Sequence, residues 1–86
     1  MKETTITVKN PTGLHTRPGT EFVQLAKKFA SDILIKKGDK EANGKSLVKV
    51  MKIGISCGDE ITLSVMGDDE AAALEALTGY IENLTE

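Results

Sequence analysis

The chain has 86 residues, enough for one small domain with a single modest core and too few for a deep, multi-walled active site, so a large substrate would have to be another protein. Its 11 basic and 13 acidic residues give a formal charge of -2, and its aromatic residues are only Phe22, Phe29 and Tyr80, so a nucleic-acid module, which needs a basic stripe or stacking rings, is disfavoured. The single cysteine, Cys57, excludes an intrachain disulfide and reads as a small core or loop thiol, and one cysteine with one histidine makes a poor metal set.

In chain order, Ile6 and Val8 alternate with polar residues and predict a first strand, which ends at the turn formers Asn10-Pro11-Thr12-Gly13. From Pro18 to about Phe29 the apolar positions Phe22, Leu25, Ala26 and Phe29 recur at spacings of three and four, with Lys27 and Lys28 at the end where cations suit the helix dipole. Ile33-Leu34-Ile35 is a short β-rich run, and the turn Lys37-Gly38-Asp39-Lys40 joins it to a weak strand from Glu41 to Asn43. Ser46 then reads as the N-cap of a short helix whose Leu47, Val50 and Met51 share a face and which Gly54 ends. Ile61, Leu63 and Val65 alternate in a last strand. The turn Gly67-Asp68-Asp69 leads to a final helix with a Leu74, Leu77, Ile81, Leu84 stripe, its N-terminus favoured by Asp69 and Glu70.

The resulting order, β-α-β-β-α-β-α, predicts an α/β (α+β) fold: an open-faced β-sandwich in which three helices cover one face of a four-stranded antiparallel sheet and the other face stays polar. Residues 1–86 form one domain, without internal repeat, linker or low-complexity segment. No apolar run approaches the roughly 18 residues of a membrane span, and Met1-Lys2-Glu3-Thr4-Thr5 lacks the apolar core of a signal peptide, so a cytoplasmic location without membrane insertion is expected.

The strongest functional signal is Gly13-Leu14-His15-Thr16-Arg17-Pro18, which holds the only histidine. Proline is favoured in the first helical turn, where its missing N–H would have had no partner, so His15 and Thr16 fall at or just before a helix N-terminus. The unpaired N–H groups and positive dipole end stabilise an anion and disfavour imidazolium, leaving a ring nitrogen available as a nucleophile. Arg17 adds a permanent cation whose fork suits phosphate or carboxylate oxygens. The plainer alternative is a capping or solvated histidine.

These residues resemble the HPr family, the histidine-containing phosphocarriers of the bacterial phosphoenolpyruvate-dependent sugar phosphotransferase system, and the resemblance runs over essentially the whole chain. It implies that His15 accepts a phosphoryl group from phosphorylated Enzyme I on its δ1 nitrogen and donates it to the IIA component of a sugar permease, assisted by Arg17, with no metal or cofactor. Such a protein is a substrate of enzymes more than an enzyme, and a monomer is expected. A second match, Lys45-Ser46-Leu47 followed by Val50, Met51 and Gly54, is similar to the family's second-helix segment. In many Gram-positive members the equivalent serine is phosphorylated by HPr kinase/phosphorylase, and the product regulates carbon catabolism through a transcription factor. At Ser46 the reading is therefore a regulatory phosphorylation site or an ordinary capping serine.

Two departures stand out. Leu47-Val48-Lys49-Val50-Met51-Lys52 is closer to the enteric type than to a Gram-positive Ile-Met-Gly-Val-Met-Ser, and Gly19 stands where the family usually has alanine. A glycine in the first turn should cost about 0.5–1 kcal/mol of helix stability and loosen that terminus.

By resemblance, Thr16, Thr20, Leu47, Val48 and Met51 would form a shallow apolar docking patch between the first two helices, with Gln24, Lys27 and Lys49 at a rim that faces acidic partner surfaces. A charged rim tunes association rate more than affinity. Leu47 and Val48 fit the core equally well. Two rival functions are a regulatory paralogue of the nitrogen-related or Ser46-signalling kind and a ferredoxin-like binding domain, although the latter would want a Cys-x-x-Cys pair or an aromatic RNA-binding strand.

Overall fold

Alternating side chains build the sheet, and the helices close over its apolar side. The computed structural model describes residues 2–11, 13–14 and 16–84, with Thr16 described in its backbone only. Its elements are β1 (Lys2–Thr7), α1 (Thr16–Ala26), β2 (Asp32–Lys37), β3 (Lys40–Asn43), α2 (Leu47–Ile53), β4 (Glu60–Met66) and α3 (Glu70–Glu82). The order is the expected one.

The strands form one antiparallel sheet in the order β1-β4-β2-β3. Ile6 pairs with Ile61, Val65 with Ile33, and Leu63 with Ile35, which lies opposite Ala42 across the next ladder. All of these side chains are buried, beneath Phe22, Val23 and Ala26 of α1, Val50 and Ile53 of α2, and Ala73, Leu77 and Ile81 of α3. The period of two sends the alternate residues to the other face. There Thr5 and Thr62 meet through their hydroxyls at 3.1 Å, Ser64 Oγ donates to Glu3 Oε2 at 2.6 Å, and Lys36 lies 3.9 Å from Glu3 and 4.0 Å from Glu41. One face is dry, and the other is mostly polar but also carries Leu34 and the exposed Met66.

Several boundaries differ from expectation, each for a tertiary reason. Val8 lies beyond β1 yet is fully buried: its N–H donates to the Asp59 carbonyl at 2.8 Å and its own carbonyl accepts from Gly58 N–H at 2.6 Å. α1 begins two residues before Pro18 and stops at Ala26 rather than near Phe29. After Ala26 the Lys28 and Phe29 N–H groups turn back only three residues, to Leu25 and Ala26, and the chain is then caught by Asp69, whose carboxylate accepts from the N–H groups of Ala30 and Ser31 at 2.9 Å each.

That capture also corrects the reading of Asp69. It occupies the N-cap of α3 but makes no capping hydrogen bond there; its carboxylate is taken by Ala30, by Ser31 N–H and by the Ser31 hydroxyl. The Ser31 hydroxyl and the Ala30 N–H hold its carboxyl below the usual aspartate range. Leu84 lies past the end of α3 and still packs against the core.

Candidate functional site

The approach to the first helix is fixed from both sides. Asn10 is buried and closes a turn, accepting from Gly13 N–H at 3.2 Å through its carbonyl and donating from Nδ2 to the Gly13 carbonyl at 2.8 Å. Gly13 has φ 63, and a Cβ there would collide with the Ile55 carbonyl oxygen, so the position requires glycine on two counts. Leu14 is buried, and its N–H donates to that same Ile55 carbonyl at 3.1 Å.

Ile55 is itself held. In the segment after α2, Asp59 Oδ2 accepts from Lys37 Nζ at 2.8 Å and from Ser56 N–H at 2.7 Å, while Lys37 Nζ also donates to the Gly54 carbonyl at 2.8 Å. The Lys37 ammonium, and then the Ser56 N–H, hold the Asp59 carboxyl below its ordinary range. A lysine on β2 thus clamps the segment that fixes Leu14. No local pattern announces this: Lys37 reads as a turn residue and Asp59 as a loop acid.

His15, the residue expected to carry the chemistry, lies outside the described residues, as does the side chain of Thr16. The backbone of Thr16 opens α1, and no acidic residue stands in the first turn of that helix to compete with an anion for its N–H groups. The Arg17 side chain is 74% exposed, with Nε 4.0 Å from Glu21 Oε2 one turn on. The Tyr80 hydroxyl, reaching across from α3, lies 2.8 Å from Glu21 Oε1 and 3.3 Å from the Pro18 carbonyl. Tyr80 and Glu21 were not anticipated, because partners 59 residues apart leave no local signal.

Gly19 proves to be more than a weak point in the helix. It is buried, and a Cβ on it would lie 3.0 Å from the Leu14 carbonyl oxygen and 3.4 Å from Met51 Sδ. The glycine lets α2 and the approach loop close on the start of α1.

At the second motif Ser46 is the N-cap of α2, in extended geometry with φ -113 and ψ 108, and its Oγ accepts from Lys49 N–H at 3.5 Å. Its own N–H donates to the Asn43 carbonyl at 3.0 Å, and Asn43 Oδ1 accepts from Lys45 N–H at 2.9 Å. Gly54 closes the helix with φ 72, donating to the Met51 carbonyl at 3.2 Å.

Leu47 and Val48 differ in exposure. Leu47 is half-buried against the core, and Val48 is 73% exposed. Thr20 and Met51 are half-buried, Gln24 and Lys49 are exposed on the two helices, which pack against each other, and Lys27 is exposed just past the end of α1. Lys40 and Lys52, which the sequence did not single out, join Val48 and Lys49 around a shallow hollow of about 400 Å³. Cys57 is an exposed loop thiol whose Sγ lies 3.5 Å from the Lys9 carbonyl. Among the described residues no helix is long and apolar enough to cross a membrane, and no group of three or more His, Cys, Asp or Glu could hold a metal ion.

Comparison with known proteins gives concordant matches. A family model described as the PTS HPr component phosphorylation site covers residues 2–83. The HPr-like protein Crh of Halalkalibacterium halodurans is 45% identical over 82 residues, spanning 95% of this chain and 98% of that protein. The phosphocarrier protein HPr of Buchnera aphidicola is 45% identical over 78 residues, 91% of this chain and 92% of the relative. Among solved structures, HPr-C-His from Thermoanaerobacter tengcongensis superposes with a TM-score of 0.93 at 50% identity, covering 95% of this chain and 92% of its own.

Proposed function

We infer the function from one premise: the chain belongs to the HPr family of phosphocarriers of the phosphotransferase system. On that premise His15 is the phosphoryl acceptor. A ring nitrogen attacks the phosphorus of phosphorylated Enzyme I, the nitrogen–phosphorus bond forms as the donor's bond to phosphorus breaks, and the donor leaves with the electron pair. The reverse displacement, with a IIA component as nucleophile, discharges the carrier.

The observation that carries this reading is the anchored approach to α1. Leu14 is buried and tied to Ile55, and Thr16 begins α1, so the described chain is anchored on both sides of position 15. First-turn N–H groups have no intrahelical acceptor and point toward an incoming anion. Such donors stabilise transferring phosphoryl oxygens without reorganising at the moment of transfer. Arg17 supplies a permanent positive charge in the same turn. Because the donors serve both transfer directions equally, they favour a carrier over a trap.

Thr20, Leu47, Val48 and Met51, with Thr16 by its place in the sequence, form the apolar part of the docking surface, rimmed by Gln24, Lys27 and Lys49, which suits acidic faces on Enzyme I and IIA. The experiment is relay: the chain, charged by Enzyme I and phosphoenolpyruvate, is offered IIA proteins of sugar and nitrogen type. Transfer to the sugar-type protein is expected. Discharge only to the nitrogen type would move the function to the regulatory branch.

A second reading is favoured by one specific observation, the match to two Crh proteins at 40% and 45% identity, one of which has been solved under the description of catabolite repression HPr. Under it, Ser46 is modified by an HPr kinase/phosphorylase and the product meets a catabolite-control transcription factor. A phosphate on Ser46 would face the positive end of α2, which favours the modified form. Incubation with that kinase and ATP, followed by mass analysis of wild type and Ser46→Ala, tests it.

A further inference from the structure

Glu21 uses its two carboxylate oxygens for different tasks. Oε1 accepts from the Tyr80 hydroxyl at 2.8 Å, and Oε2 lies 4.0 Å from Arg17 Nε. An exposed pair at this spacing on a helix is ordinarily weak, because two long side chains must both be ordered to make it. Here one of them is already ordered. Tyr80 is half-buried, packs against the core from α3, and also sits 3.3 Å from the Pro18 carbonyl in the first turn of α1. It therefore presents Glu21 as a fixed carboxylate one turn below the arginine.

We propose that Glu21, held by Tyr80, is a positioning residue that restrains Arg17 in the unphosphorylated protein and gives it up to the phosphoryl group when that group arrives. The proposal rests on the reading of His15 as acceptor. A phosphoryl group near neutral pH carries about two negative charges and three acceptor oxygens, so it outcompetes one carboxylate for a guanidinium. Glu21 then keeps its bond to Tyr80 and, no longer neutralised by Arg17, leaves an added negative charge on the helix that the phosphorylated residue precedes.

Both effects act in one direction. The carboxylate stabilises the uncharged carrier by occupying Arg17, and it destabilises the phosphorylated carrier by repulsion, so it raises the tendency of the phosphoryl group to leave. A residue of this kind sets transfer potential without touching the reacting atoms.

The test is the equilibrium of phosphoryl exchange between Enzyme I and the full chain, compared for wild type, Glu21→Gln, Tyr80→Phe and the double variant, with thermal melts as a control for folding. Glu21→Gln is expected to shift the equilibrium toward the phosphorylated carrier by about threefold at low salt, and the shift should shrink as ionic strength rises. Tyr80→Phe should move it the same way by less, and should add nothing in the Glu21→Gln background. A merely structural role would change the melts and leave the equilibrium where it was. An unchanged or oppositely shifted equilibrium in a folded Glu21→Gln protein overturns the proposal alone, whereas failure of the wild type to accept any phosphoryl group removes the underlying reading with it.

Discussion

The two helix starts of this protein are built by opposite strategies. α2 is started by its own neighbourhood: Ser46 caps it with an oxygen three residues from the N–H it receives, and Asn43 shapes the turn before it. α1 is started by the rest of the molecule. Beyond the local Asn10 turn, its approach depends on the Ile55 carbonyl, on the Lys37–Asp59 clamp behind Ile55, and on Tyr80 reaching across from α3. A local cap makes a helix, whereas a tertiary frame also fixes where its first turn points, which is what phosphoryl transfer needs.

The contrast can be broken most severely at Gly13. Gly13→Ala must place a side chain at φ 63 and against the Ile55 carbonyl, so a loss of about 2 kcal/mol or more is expected in denaturant unfolding, accompanied by slower phosphorylation by Enzyme I. Stability close to wild type would mean that the approach loop is softer than its contacts imply.

Acid should separate the clamp from the rest of the fold. The Asp59 carboxyl is held below the ordinary aspartate value of 3.8 in the folded protein. The unfolded chain therefore takes up the proton first on acidification, so the stability contributed by the charged form is complete above that value and is lost as pH falls below it. Thermal melts in this window should show an acid loss that is smaller in Asp59→Asn than in wild type. Equal losses would show that Lys37 and Asp59 do not hold the 54–59 segment in solution.

The smallest expected effect is at the local start. Ser46→Ala removes a cap whose hydrogen bond is 3.5 Å long, at the outer edge of useful geometry, so its cost should fall near the bottom of the range for caps, about 0.5 kcal/mol. Circular dichroism melts would detect it, and phosphorylation by Enzyme I should be unaffected by the folding change itself.

The same contrast explains what could be read from the chain. Element order, the face of each strand and the caps of α2 are set by side chains a few residues apart, so alternation at Ile61, Leu63 and Val65 and the Ser46 and Gly54 signals were sufficient. The start of α1 was legible as a helix start but placed two residues late, since proline is tolerated throughout the first turn and not only at its first position. Its end was overrun because Lys27, Lys28 and Phe29 continue the helical pattern, and what turns the chain is Asp69, some forty positions away. Around the candidate site the motif and its resemblance supplied His15 and Arg17. Lys37, Asp59, Glu21 and Tyr80 were invisible because each acts through a partner that only the fold brings near.

The residue that takes the phosphoryl group decides what this chain does. The direct measurement is labelling of the purified chain by Enzyme I and phosphoenolpyruvate, comparing wild type with His15→Ala and following the label through acid treatment. An acid-labile phosphate on wild type that is absent from His15→Ala is the predicted result. A label that survives in His15→Ala, or a folded wild type that takes none, would contradict the assignment of this chain as a carrier at His15.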